Sequence, residues 1–78
     1  LVVEVADTTL AHDRRKAARY GQAGVPETWI VVLEDEAIEV YRQPGADGYA
    51  KQQRVQPGDM LSCAALPALA PLPVEALL

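Results

Sequence analysis

The first 32 residues, LVVEVADTTLAHDRRKAARYGQAGVPETWIVV, constrain the fold most. Leu1 to Ala6 is an apolar, β-branched run broken by one acid, Glu4. A basic segment follows, and the breaker Ala23-Gly24-Val25-Pro26 closes it before a second apolar run opens at Trp29. This is the pattern of strand, helix, strand. Glycine supplies the left-handed residue that ends many helices, and a proline soon after lacks the amide that a continuing helix needs. Strands joined by a crossover helix form a βαβ unit, so residues 1–6 and 29–33 are expected to be parallel or near neighbours in one sheet. Being apolar on both alternations, strand 1–6 is expected to be buried on both faces.

The spacing predicts a helix over residues 12–23, with Asp13 in the first turn, where a negative charge favours the helix dipole. It places Asp13, Lys16, Ala17, Tyr20 and Ala23 on one face and Arg15, Arg19 and Gln22 on another. Lys16 is the unusual member, a cation on the stripe that should face the sheet while the arginines point away. After the charged turn Glu34-Asp35-Glu36, residues Ile38–Arg42 alternate as a strand with one wet face does. Residues 45–48 and 56–59 read as further turns, with a more polar strand over Tyr49–Val55 between them and a short edge strand at Met60–Ser62. From Ala64 on, the chain is Ala, Leu and Pro. Pro67, Pro71 and Pro73 forbid a long helix, and only residues 74–78 can add a helical turn. This tail, 64–78, is expected to be a packing strap, with a polyproline II recognition segment as the alternative.

At 78 residues, half of them hydrophobic and 23% charged, the chain has the size and composition of one small folded domain. The lone Cys63 closes no internal disulfide, no Cys/His spacing suits zinc, and so sparse a use of cysteine fits a reducing cytoplasm. No apolar stretch reaches the length of a membrane span. A net charge of −4 argues against attraction of the whole domain to nucleic acid, although a carboxylate site that binds metal can sit in an acidic chain. The sequence opens at Leu1 inside an apparent strand, so a fragment of a longer protein is expected.

Glu4 is the sharpest chemical signal. A carboxylate inside an apolar strand is costly unless it is paired, hydrogen-bonded or metal-bound, and the bland alternative is an edge strand or an exposed strand end. Lys16 alone would be read as a snorkelling lysine. Together they say more, because a helix returning over its own strand can bring the ammonium to the carboxylate. That arrangement suits metal-assisted phosphodiester hydrolysis, and equally a structural ion pair. The remaining polar residues take blander readings: Asp7 a turn or cap before a further metal ligand, His12 a surface or capping residue, Cys63 an unreactive thiol, and Arg14, Arg15 and Arg19 a solvated helix face, with contact to a phosphate backbone as the alternative.

At these residues the chain resembles the Uma-two family of putative restriction endonucleases, within the PD-(D/E)XK nuclease superfamily. The likeness runs through LVVEVAD, HDRRKAARYGQAGVPETWIVV, IEVYR, the QPGD turn and the closing LPALAPLPVEALL. It implies an α/β, restriction-endonuclease-like mixed sheet flanked by helices, incomplete here as strand-helix-strand followed by a β-meander. It further implies one partial domain over 1–78, Mg²⁺ or Mn²⁺ as cofactor, and DNA as substrate; the sequence leaves the oligomeric state open, a homodimer among the options. Glu4 matches the family's strand acid and metal ligand. The superfamily's lysine normally lies two residues later, where Ala6 stands; in this family it moves to the helix, where Lys16 matches it. Asp13 matches the helix-starting acid, with a capping or supporting role behind the ligands, and Tyr20 and Trp29 match core positions. The first metal-binding aspartate lies upstream of this pattern, in a preceding hairpin, so the 78 residues alone are expected to be inactive. Asp13 and Lys16 are also three apart where the family pattern has four. The competing reading is a nuclease-fold scaffold that binds DNA or dimerises without cutting.

Overall fold

The computed structural model describes all of residues 1–78 and opens on the expected unit. Strand β1 (Val2–Ala6), helix α1 (Leu10–Gln22) and strand β2 (Glu27–Val32) come first, and β1 and β2 are parallel. Strands β3 (Ala37–Gly45) and β4 (Gly48–Val55) follow as an antiparallel meander, giving the sheet order β1-β2-β3-β4. A two-residue strand β5 (Met60–Leu61) pairs with β6 (Leu72–Pro73), and a 3₁₀ turn over Val74–Leu77 ends the chain with Pro73 ahead of it.

The helix stops where the glycine requires. Gly24 adopts φ 86°, the Gly24 N–H reaches the Gly21 carbonyl, and the Val25 N–H reaches the Tyr20 carbonyl. These two bonds satisfy carbonyls that a helix end otherwise leaves unpaired.

The sheet separates two apolar clusters. On the helix side Ala6, Ile30, Val32 and Tyr41 pack with Ala17 of α1. On the other side Trp29, Val31, Ile38, Val40 and Val55 pack under Leu61, Cys63 and Val74 of the tail. Within residues 64–78, Val74 is fully buried while Leu66 and Leu69 stay exposed.

Strand β1 departs from the expectation of burial on both faces. It lies at the sheet edge, with Val3 49% and Val5 60% exposed. The tail covers β2, β3 and β4 but does not reach β1, so the side of β1 away from the helix stays open. Alternation along β1 therefore divides the strand into an open side and a helix-facing side, and Glu4 and Ala6 are on the latter.

One contact fixes how α1 lies on the sheet. A Cβ added at Gly21 would stand 2.6 Å from the carbonyl carbon of Gly48, at the tip of the β3–β4 hairpin. Alanine gains up to about 1 kcal/mol over glycine in a helix, whereas overpacking costs about 1–3 kcal/mol. Backbone cannot swing aside as a side chain does, so the clash wins. Gly21→Ala is expected to lower stability by about 1 kcal/mol, read in urea or thermal unfolding as a midpoint below wild type.

Candidate active site

Register sets the site. Glu4 pairs with Ile30, and Ile30 pairs with Glu39, so two acids stand in one row on the helix side with an isoleucine between them. Ala17 comes down over the centre of this cluster, and α1 reaches to either flank. Residues 16 and 20, one turn apart, share the flank above β1, and Arg14 lies on the flank above β3.

On the β1 flank, Lys16 Nζ lies 3.0 Å from Glu4 Oε1, and the Tyr20 hydroxyl donates to the same oxygen at 2.8 Å. Glu4 Oε2 takes no hydrogen bond from the protein. Both side chains remain partly open, Glu4 at 20% and Lys16 at 32% exposure, as befits a site on an edge strand. The Lys16 ammonium holds the Glu4 carboxyl below its ordinary range, with help from the Tyr20 hydroxyl. Reciprocally, the carboxylate raises the pKa values of Lys16 and Tyr20. At neutral pH the trio is an anion, a protonated amine and a protonated phenol.

Asp13 stands behind Lys16. Its Oδ2 accepts from the Thr9 hydroxyl at 2.7 Å, and its Oδ1 lies 4.0 Å from Lys16 Nζ. The carboxylate is buried at the first turn, where it braces the residue that starts the helix and faces the ammonium from the rear. The three-residue spacing of Asp13 and Lys16 therefore does not carry Lys16 away from Glu4: the lysine leaves the helix sideways, and its four-carbon stem spans to the strand.

Two sequence expectations are corrected here. Tyr20 is not a core residue; its ring lies along the helix flank and its hydroxyl orients Glu4. Arg14 does not belong to a solvated run. Its Nε and Nη2 donate to Glu39 Oε1 and Oε2 at 3.0 and 2.5 Å, and the Tyr41 hydroxyl donates to Oε1 at 2.6 Å. The sequence offered one signal for this pair, a glutamate alternating with apolar residues in IEVYR, and its partner lies 25 positions earlier. Glu39 does not complete the Glu4 site. It is two strands away, about 10 Å at the usual strand spacing, and both its oxygens are committed.

Trp29 is core, as expected, and it has a further partner. Its indole N–H donates to Glu27 Oε2 at 2.5 Å, two residues earlier on the same face of β2. Cys63 is buried in the tail-side cluster, whereas Asp7 and His12 are exposed.

The residues present meet the needs of a divalent ion only in part. Glu4 Oε2 is a free carboxylate oxygen in an accessible place, but no three His, Cys, Asp or Glu groups converge anywhere in the chain. Magnesium commonly takes one or two carboxylates and fills its shell with water and substrate phosphate, so Glu4 suits it as one ligand among several.

A comparison with family models matches residues 1–75 to Uma2, described as "Putative restriction endonuclease". The chain belongs to the Uma2 family. The match takes in every element from β1 into the closing 3₁₀ turn, and with it the whole Glu4, Lys16 and Tyr20 cluster. A four-stranded mixed sheet with one helix and a small antiparallel pair is consistent with an incomplete restriction-endonuclease-like fold for this Uma2 chain. No curated protein and no solved structure matches it. No helix is long and apolar enough to cross a membrane.

Proposed function

We propose that this chain carries part of the active site of a Mg²⁺-dependent DNA endonuclease, with Mn²⁺ as a substitute ion, in which Glu4 is a metal ligand and Lys16 a catalytic cation. The observation that supports this reading best is the open, edge-strand cluster at Glu4, where a carboxylate, an ammonium and a phenol meet beside solvent. What separates this cluster from the buried group of Arg14, Glu39 and Tyr41 is its openness and the Glu4 oxygen left without a protein partner, whereas both Glu39 oxygens are committed.

A bound divalent ion would supply Lewis-acid activation of water and neutralisation of phosphate charge. The chain's own residues do the rest. Tyr20 holds Glu4 Oε1, which leaves Oε2 free to ligate. Lys16 stays protonated at neutral pH, so its role is to hold a phosphate oxygen or the attacking water and to offset charge that grows in the transition state. It is not a general base. Asp13 keeps the ammonium from swinging outward. The reading also calls for a second carboxylate, which the family pattern draws from a hairpin ahead of β1.

The test is nicking of duplex DNA by the full-length protein, run beside thermal unfolding with and without Mg²⁺ or Mn²⁺. Lys16→Met is expected to lower cleavage about 10²-fold or more while leaving metal-dependent stabilisation in place. Glu4→Gln is expected to remove both. The second reading, a non-catalytic nuclease-fold scaffold, draws on the absence of a converging set of three ligands. On that reading metal leaves the midpoint unchanged, and replacing Glu4 and Lys16 together by apolar residues leaves stability equal or higher.

A further inference from the structure

The charge on α1 is distributed unevenly around its axis. Around the helix from Lys16 toward solvent the residues met are Ala23, His12, Arg19 and Arg15, at 100° per residue. No acid interrupts this arc, although the chain as a whole carries −4. Arg15, Lys16 and Arg19 are three of its seven lysines and arginines. Lys16 is matched by Glu4, but the ion pairs of the chain include neither Arg15 nor Arg19. Both are exposed, as is His12. Arg14, by contrast, is drawn to the far flank by Glu39 and is spent there.

We infer that this arc of α1 is a track for the phosphodiester backbone of DNA, with Arg15 and Arg19 contacting phosphates next to the Glu4–Lys16 cluster. The inference rests on the nuclease reading for the identity of the polyanion. Its own basis is geometric: Arg19 lies about 60° and Arg15 about 100° around the axis from Lys16, so the unpaired cations of the helix run from its crest toward the Glu4 flank. They stand about one helical turn apart, about 6 Å along the axis. Two cations carried one turn apart on a rigid helix, with no acidic neighbour on the arc, meet a phosphate chain at little conformational cost. Phosphate contacts of this kind position a duplex without reading its sequence, so the track would serve any duplex alike.

The experiment measures affinity for a short duplex at several salt concentrations, without divalent ion so that nothing is cut. It compares wild type with Arg15→Gln, Arg19→Gln, the double variant, and Lys51→Gln as a control of equal charge change on the exposed strand β4. Far-UV circular dichroism and thermal midpoints establish that each variant is folded. Each phosphate contact contributes about 0.9 to the slope of log affinity against log salt. The double variant is therefore expected to lose about 2 from that slope and to bind more weakly at low salt, whereas Lys51→Gln loses neither. Equal losses in the double variant and the Lys51 control, or no duplex binding by wild type, would overturn the track. So would vesicles containing anionic lipid that bind wild type more tightly than duplex does, with the same dependence on Arg15 and Arg19. The two readings fail separately. Cleavage that depends on Glu4 but is indifferent to Arg15 and Arg19 in binding sinks the track alone. Binding that depends on the arc, with no metal-dependent cleavage by the full-length protein, sinks the nuclease alone.

Discussion

Glu27→Ala is expected to be the most damaging single change in this chain, costing about 3–5 kcal/mol. Glu27 is fully buried at the start of β2, and its carboxylate gathers donors from three parts of the molecule. The Trp29 indole donates to Oε2, and the Ala65 N–H donates to Oε1 at 3.1 Å from the tail. Arg42 Nη2 lies 3.4 Å from Oε2, and Nε approaches Oε1 at 3.3 Å without hydrogen-bond alignment. Arg42 also donates to the Ser62 carbonyl, so carboxylate and guanidinium together tie the tail to the sheet. Alanine would leave the indole and the Ala65 amide unpaired, strip Arg42 of its counter-charge and open a cavity. A domain this small has only a few kcal/mol in reserve, so the variant should be largely unfolded at 25 °C. Trp29 fluorescence shifted to the red and loss of protection at the Ala65 amide in hydrogen exchange would record it. Glu27→Gln keeps the shape and one acceptor and should lose roughly half as much. An alanine variant within about 1 kcal/mol of wild type would mean that the network does not hold the strap.

Most of the fold was legible because local chemistry and global packing agree along most of the chain. The Gly24–Pro26 breaker ends α1 at the predicted place, and the bonds from Gly24 and Val25 are the reason. The alternation in Ile38–Arg42 and the turn at 45–48 mark the meander. Burial of β1 was not legible. Whether Val3 and Val5 are covered depends on how far the tail reaches across the sheet, and no local pattern encodes that distance.

The site divides in the same way. Glu4 and Lys16 could be paired from sequence because both lie on one βαβ unit, whose handedness and crossover bring the helix back over its strand. The roles of Tyr20 and Arg14 were hidden for a geometric reason. Residues 14, 16 and 20 fall on different flanks of the inward stripe of Asp13, Ala17 and Gly21, and which strand each flank overhangs follows from the docking of Gly21 against Gly48. A wheel drawn from sequence shows faces; it does not show what lies beneath each flank. Glu27 was missed because a glutamate after proline reads as a turn residue until Trp29 and Arg42 are seen to surround it.

Arg14→Ala is expected to cost about 3 kcal/mol at pH 7, and the deficit should shrink in acid. Glu39 is 2% exposed, and the bidentate guanidinium with the Tyr41 hydroxyl is what keeps it ionised there. Removing one partner of a buried pair leaves an uncompensated charge, and the low end of the usual range applies because Arg14 is itself half exposed and water can enter its place. The sign of the pH effect follows from linkage. In wild type, Arg14 first and Tyr41 with it hold the Glu39 carboxyl below its ordinary value of 4.5, against the opposing effect of burial. Stability from this group is therefore fully present above pH 4.5 and is lost as pH falls through the lowered folded-state value. Without Arg14, burial prevails and pushes the carboxyl above its unfolded value, so the variant becomes relatively more stable as pH falls and Glu39 takes up a proton. Denaturant unfolding of both proteins at pH 7, 5.5 and 4.5 should show the two stabilities converging. A gap that stays constant across that range would assign the loss to packing of the arginine stem and not to the buried charge.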